Sequence, residues 1–268
     1  MRYGVIADVH ANLPALEAVL AELDREGVDA YACAGDLVGY GPQPNECVEV
    51  VRKLGAACVA GNHDLIALGK LSEDRCERIA RESLRWTRQA LDDHARDYLE
   101  RLPLQLDLPD GVVLAHGSLD DPQEYVLRAD QATVQLGRLA ESHPAARILV
   151  VGHTHRAFAH GGRTTVSRIG AREPVALDVS GRWLLNPGAV GQSREPLVRA
   201  RFMVLDLERG TAVFRAVRYD VGRTRALLRR EGLPAQSVHL PPWRIKALMR
   251  PGIRAARRVQ AQVRGRWA

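Results

Sequence analysis

Apolar and polar positions follow two alternating periods through the first part of the chain. Residues 3–7 (Tyr3-Gly4-Val5-Ile6-Ala7) form an unbroken apolar run, which predicts a strand buried on both faces. Leu13, Leu16, Val19, Leu20 and Leu23 then recur at helical spacing, with Pro14 in the tolerated first turn and Gly27 as the stop. A second strand-like run at 30–34 completes a βαβ unit, whose crossover makes its strands parallel and brings the residues just past each strand to one edge. A helix over about 45–54 and a strand over 56–60 repeat the unit. From 72 to 101 the pattern is helical and heavily charged, with Ile79, Leu84, Leu91, Tyr98 and Leu99 as its apolar positions and Pro103 as its end. One or two helices are expected there, packed over or beside the shared edge as a lid, a dimer face or plain support.

The second half has a different texture. Residues 112–115 and 148–151 are short apolar runs ending at histidines, and 158–217 offers repeated short strands separated by Gly and Pro. A short basic helix over 222–231 precedes the tail. A β-rich half after βαβ units predicts an α/β fold, a four-layer αββα sandwich of two mixed β-sheets flanked by helices. The expected organisation is one domain over 1–241, with 72–101 as a helical insertion and 242–268 as a basic tail. No internal repeat is present.

Composition narrows this reading without redirecting it. Hydrophobic residues make up 46% and charged residues 26% of 268, enough for a sizeable core and too apolar for disorder. The net charge of +6 sits in the tail: residues 242–268 hold eight basic residues and no acid, leaving 30 basic against 32 acidic elsewhere. A nucleic-acid partner is therefore an expectation about the tail alone, and charge without aromatic interleaving beyond Trp243 and Trp267 argues weakly for it. The four cysteines show no metal or redox spacing and read as reduced structural thiols. No apolar run approaches the ~18 residues of a membrane span, and the first strand starts too early for a leader, so a cytoplasmic chain without membrane contact is expected.

Chemistry concentrates in five short clusters, each just after a strand-like run: Asp8-Val9-His10, Gly35-Asp36, Gly61-Asn62-His63-Asp64, His116-Gly117 and Gly152-His153-Thr154-His155. Asp8 and His10 are two apart and point the same way from extended backbone, a carboxylate beside an imidazole that suits a borderline divalent metal. Asp36 has two oxygens with which to bridge two ions, and Asn62 adds a neutral amide oxygen. Together the clusters hold seven candidate ligands: Asp8, His10, Asp36, Asn62, His116, His153 and His155.

In order and spacing these blocks resemble the calcineurin-like metallophosphoesterase family, closest to its small bacterial phosphodiesterases. Residues 185–191, Leu185-Asn186-Pro187-Gly188-Ala189-Val190-Gly191, are similar to the glycine-rich loop near that family's site, with Ala189 where relatives often carry serine. The resemblance implies two divalent ions, manganese first and Fe, Zn, Ni or Co as alternatives, and a hydroxide bridging them as the nucleophile. Asp8, His10, Asp36 and His155 would hold one ion, and Asp36, Asn62, His116 and His153 the other. It also makes Asp36 and His63 the catalytic residues, His63 as acid or phosphate clamp, with Asp64 orienting a ligand.

The family's protein phosphatases carry an arginine after the Gly-Asp motif, where this chain reads Leu37-Val38-Gly39-Tyr40-Gly41. A site with fewer fixed cations suits a singly charged diester, so the expected substrate is a small or nucleotide-like phosphodiester. The alternatives are a nucleotidase, a dinucleoside polyphosphate hydrolase and a non-catalytic metal-binding scaffold. Asn12 and Arg194 are the remaining candidate substrate contacts, against the plainer readings of helix cap and surface cation; Arg194 would return a cation to the site. A homo-oligomer is compatible with everything above.

Overall fold

Parallel pairing of β1 (Arg2–Ile6), β2 (Ala30–Cys33) and β3 (Ala57–Cys58) builds half of the first sheet. The computed structural model describes residues 1–161, 164–167, 174–178 and 180–241. β1 is flanked on its other side by antiparallel β11 (Ala200–Asp206), followed by β12 (Thr211–Val217) and β9 (Pro174–Ala176). The second sheet runs β4 (Gln105–Leu108), β5 (Val112–Ala115), β6 (Ile148–Val150), β10 (Trp183–Pro187), β7 (Ala157–Gly161) and β8 (Thr164–Ser167). β5, β6 and β10 are parallel to one another; the outer pairs are antiparallel. Both sheets are mixed.

The pleat sorts each strand between two cores. Val5 points inward with Ala32, Leu114, Val150, Leu185, Met203 and Phe214, filling the space between the sheets. Ile6, one residue on, faces the opposite way and packs with Leu16, Val19 and Leu23 of α1 (Leu13–Glu26) and with Val48 and Val51 of α2 (Pro44–Lys53). On the other outer face Leu149 and Leu184 meet Ala132 and Leu139 of α6 (Ala129–Ser142). Helices, two sheets and helices are the four layers expected from the sequence.

One boundary departs from the sequence reading. The strand expected over 56–60 is only two residues long: pairing with β2 ends where Val59 N–H donates to Cys33 O at 3.2 Å, and Ala60 N–H, on the opposite edge, donates to the carbonyl of Pro103 at 2.8 Å. The segment 72–101 forms α4 (Arg78–Ala90) and α5 (Asp93–Glu100), separated by a break at Leu91-Asp92 where Asp92 caps α5 through Ala95 N–H. Leu84, Leu91, Ala95 and Leu99 are buried in the same core as α1 and α2, so these helices are part of the domain's outer layer and not a lid. α3 (Asn62–Ala67) and α7 (Val221–Arg230) complete the helices used below. None of the helices among the described residues is long and apolar enough to cross a membrane. The basic tail at 242–268 lies outside the described residues, and with it the expected nucleic-acid contact.

Candidate metal centre

Five parallel strands deliver the five clusters. Asp8 and His10 follow β1, Asp36 follows β2, Asn62 and His63 open α3 after β3, His116 follows β5, and His153 and His155 follow β6. Carboxyl ends of parallel strands share one rim, and here the rims of the two sheets are stitched together. Asp8 N–H donates to Gly35 O at 3.0 Å, Gly152 N–H to His116 O at 2.8 Å, and His153 N–H crosses between the sheets to Asp8 Oδ1 at 3.0 Å. Asp8, His10, Asp36, His153 and His155 all sit at left-handed φ, between 49° and 64°. Each such non-glycine residue costs roughly 1–2 kcal/mol, a strain the surrounding contacts impose to turn the side chains inward. Gly61 permits the close approach: a Cβ there would lie 2.1 Å from Asp36 Oδ1.

The carboxylate and imidazole donors fall into two groups that share Asp36: Asp8, His10, Asp36 and His155, and Asp36, His116 and His153. Asn62 joins the second, its Oδ1 3.0 Å from His116 Nε2. Tautomers follow from the ring partners. His10 Nδ1 lies 3.0 Å from Val38 O, and His155 Nδ1 lies 2.8 Å from Gln192 O. A carbonyl only accepts, so both rings carry hydrogen on Nδ1 and aim Nε2 lone pairs at each other across 3.1 Å. His116 repeats the arrangement: Nδ1 donates to Ala34 O at 2.7 Å, and Nε2 faces Asn62 Oδ1 and, at 3.2 Å, Asp36 Oδ2.

Acceptors facing acceptors in a buried space repel unless a cation lies between them. Asp8 Oδ2, Asp36 Oδ2 and His153 Nε2 are buried with no hydrogen-bond partner among the described residues, as ligand atoms are before a metal is counted. The residues present therefore fit divalent ions. Burial pulls His10 down to about 3 and takes His153 and His155 well below the usual histidine range, so all three are neutral ligand-ready rings near neutral pH. Burial, with Asp36 nearby, pushes Asp8 up to about 7. Burial also opposes charge on Asp36 and His116, but their mutual attraction outweighs it: Asp36 is held well below the usual carboxylate range and His116 rises to about 10. Without a metal, a proton on His116 does the work of a cation.

His63 stands beside the ligands, its backbone N–H on Asp36 Oδ1 at 2.7 Å. Asp64 is a scaffold residue, accepting from Gly61 N–H at 2.9 Å and Val38 N–H at 3.1 Å and so tying two ligand loops together. Asn186 does the same for the glycine-rich loop, its Nδ2 donating to Gly152 O and Thr154 Oγ1.

Asn12 requires correction as a substrate contact. It caps α1, its Nδ2 donates to Gly191 O at 2.8 Å and to Tyr219 Oη at 3.2 Å, and its Oδ1 accepts from Thr224 Oγ1 at 3.0 Å. At 1% exposure its amide has no capacity left for a substrate. Asn12→Ala is expected to cost about 2 kcal/mol in urea unfolding, from the lost cap and stranded partners, with an unchanged KM.

Two aromatic residues had no place in the motif reading. Tyr40 stacks on His63 with ring centroids 4.8 Å apart and meets His10 edge-on at the same distance. Tyr125 lies 4.1 Å from His153, centroid to centroid, and beneath the guanidinium of Arg194. An aromatic residue between Gly39 and Gly41, directly after a ligand loop, is the local signal that points to Tyr40; Tyr125 has none.

Residues 1–210 match the family model of the calcineurin-like phosphoesterase superfamily domain. A crystal structure of a metallophosphoesterase from Sphaerobacter thermophilus is 37% identical, with a TM-score of 0.74 over 89% of this chain and 96% of that one. An uncharacterized protein from Methanocaldococcus jannaschii is 29% identical over 234 residues, covering 86% of this chain and 93% of the relative. A hypothetical protein from Pyrococcus horikoshii, 22% identical over 88% of this chain and 96% of its own, shares the fold with a TM-score of 0.71.

Proposed function

The chain belongs to the calcineurin-like phosphoesterase superfamily, and we propose that within it this phosphoesterase hydrolyses phosphodiester bonds of a small or nucleotide-like substrate at a dinuclear metal centre. One observation carries the reading: two groups of inward-facing donor atoms meet at Asp36, with His10 and His155 lone pair to lone pair and Asp8 Oδ2 and His153 Nε2 buried without a partner among the described residues. Asp8, His10, Asp36 and His155 would hold one ion, and Asp36, Asn62, His116 and His153 the other. Manganese is the first ion to test, as the family resemblance implies, with Fe, Zn, Ni and Co accepted by the same nitrogen and oxygen donors. When bound, such a pair supplies an acidified water as nucleophile and neutralises charge on the phosphoryl group.

The chain's own residues do the rest. Val38 O, Ala34 O and Gln192 O fix the tautomers of His10, His116 and His155, so each Nε2 presents a lone pair inward. His63 donates a hydrogen bond to the departing oxygen. Burial lowers its pKa to about 4, so it acts as a neutral N–H donor and not as an imidazolium acid. Arg194 adds a side-chain cation to the rim, its charge felt at Asp8, His10, His63, His153 and His155.

Full-length protein incubated in turn with Mn, Ni, Co and Zn, measured by elemental analysis and assayed on bis(p-nitrophenyl) phosphate and p-nitrophenyl phosphate, tests the reading. Close to two ions per chain with faster diester than monoester turnover is expected. Absence of bound metal, or inertness on both esters with every ion, overturns it.

A further inference from the structure

Around Arg194 the rim is rich in hydrogen-bond donors. Arg194 Nε donates to Gln192 Oε1 at 3.2 Å and Nη1 to Tyr125 Oη at 3.4 Å, which leaves the other guanidinium hydrogens uncommitted. No carboxylate pairs with it among the described residues. Tyr125 Oη accepts from Arg194, so its own hydrogen is free to donate onward. Gln192 is fully buried, and its Nε2 is a donor with no partner among the described residues. Tyr40 is 5% exposed, and its hydroxyl makes no hydrogen bond among the described residues although the phenol lies within electrostatic reach of both Arg194 and Tyr125. The acidic side chain felt at Tyr40 is Glu77, just before α4.

A buried donor left without an acceptor, as Gln192 Nε2 is, is costly and points to an absent acceptor, towards which the spare donors of Arg194, Tyr40 and Tyr125 also gather. The aromatic rings also give the cluster its place. Tyr40 is seated on His10 and His63, and Tyr125 on His153, so the donors straddle both groups of ligands. A diester phosphorus carries two non-bridging oxygens that share one negative charge, and the two ligand groups account for both oxygens. The arginine, two phenols and an amide are then in excess of what the scissile group can use.

We propose that Tyr40, Tyr125, Gln192 and Arg194 form a second anion subsite that holds the phosphoryl group adjacent to the scissile one. The substrate is then a phosphoanhydride, or another ester with two neighbouring phosphoryl groups. This rests on the diester reading above, because a monoester would offer Arg194 a third oxygen on the scissile phosphorus itself.

Calorimetric titration of manganese-loaded full-length protein with methylenediphosphonate and with dimethyl phosphate, whose single phosphorus offers only two non-bridging oxygens, separates the two cases. Wild type is expected to prefer the diphosphonate by about tenfold or more. Arg194→Gln should weaken the diphosphonate about tenfold and Tyr40→Phe, which keeps the ring on His63, about threefold, with dimethyl phosphate affinity changed by about twofold or less in both. Equal weakening of both ligands would place Arg194 on the scissile phosphoryl and overturn the subsite, as would two variants that bind both ligands like wild type. Turnover of bis(p-nitrophenyl) phosphate by the same wild-type preparation is scored independently: its absence defeats the diesterase reading, while the titration still decides whether a second anion is held.

Discussion

The Asp36→Asn variant is expected to lose metal uptake and turnover together while its metal-free form stays as stable as wild type. Asp36 Oδ2 lies 3.6 Å from His10 Nε2 and 3.2 Å from His116 Nε2, so one oxygen serves both groups of ligands. An amide of the same shape keeps Oδ1 for His63 N–H and places a donor where that oxygen stood. His116, no longer held protonated by a carboxylate, gives up its proton and accepts from the new N–H, so the repulsive cluster becomes a satisfied one. The same change removes the charge that both ions would share. Loss of several kcal/mol of transition-state stabilisation, at ~1.4 kcal/mol per decade, lowers kcat about a thousandfold or more.

Thermal unfolding gives the readout that activity cannot. A saturating ion stabilises the state that binds it, by about 2.7 kcal/mol at a hundredfold excess over Kd. Wild-type protein should therefore melt higher when manganese is added after chelation, and Asp36→Asn should not. A variant that still takes up two ions and melts higher with manganese would remove Asp36 from the shared position.

His63→Ala should behave differently, retaining its metal and losing about a hundredfold in kcat, the range for one positioned donor. The pH dependence distinguishes the form of that donor. His63 Nδ1 is buried without a partner, and a Cβ at Gly39 would lie 2.3 Å from it, so this face has no room for an acceptor. The lower-cost tautomer leaves the lone pair on Nδ1 and the hydrogen on Nε2, ready for the departing oxygen. Burial lowers the ring's pKa to about 4, so it is protonated only below that value and neutral above it. Its contribution is then constant on the alkaline side, and the ratio of wild-type to His63→Ala kcat should stay flat from about pH 6 to about pH 9. An imidazolium acid with an ordinary pKa of ~6.5 would instead lose its advantage as pH rises, and the ratio would fall towards one.

Much of this was legible before the fold. Apolar runs at 3–7, 30–34, 112–115 and 148–151 become buried strands, because a strand covered on both faces leaves little choice of residue type, and this is visible locally. Right-handed crossovers between parallel strands then bring Asp8 and Asp36 to one rim and His116 and His153 to another, and the packing of the two sheets joins the rims. Boundaries were less legible, as where pairing of β3 with β2 ends at Val59 and Ala60 N–H goes to Pro103.

The sequence by itself therefore determined the layered architecture and the identity of the inward-facing polar residues, because both follow from periodicity and chain connection. Only the tertiary structure decided what each polar atom faces. Asn12 looks like a site residue in the chain and is consumed by Gly191, Tyr219 and Thr224, between 179 and 212 residues away. His10 and His155 meet lone pair to lone pair across 145 residues, Tyr125 reaches His153 from a segment with no motif, and the tautomer of His63 depends on the missing side chain of Gly39. A hydrogen bond or a clash is set by a few ångströms between groups that local patterning does not relate, and those distances exist only once the two sheets have packed.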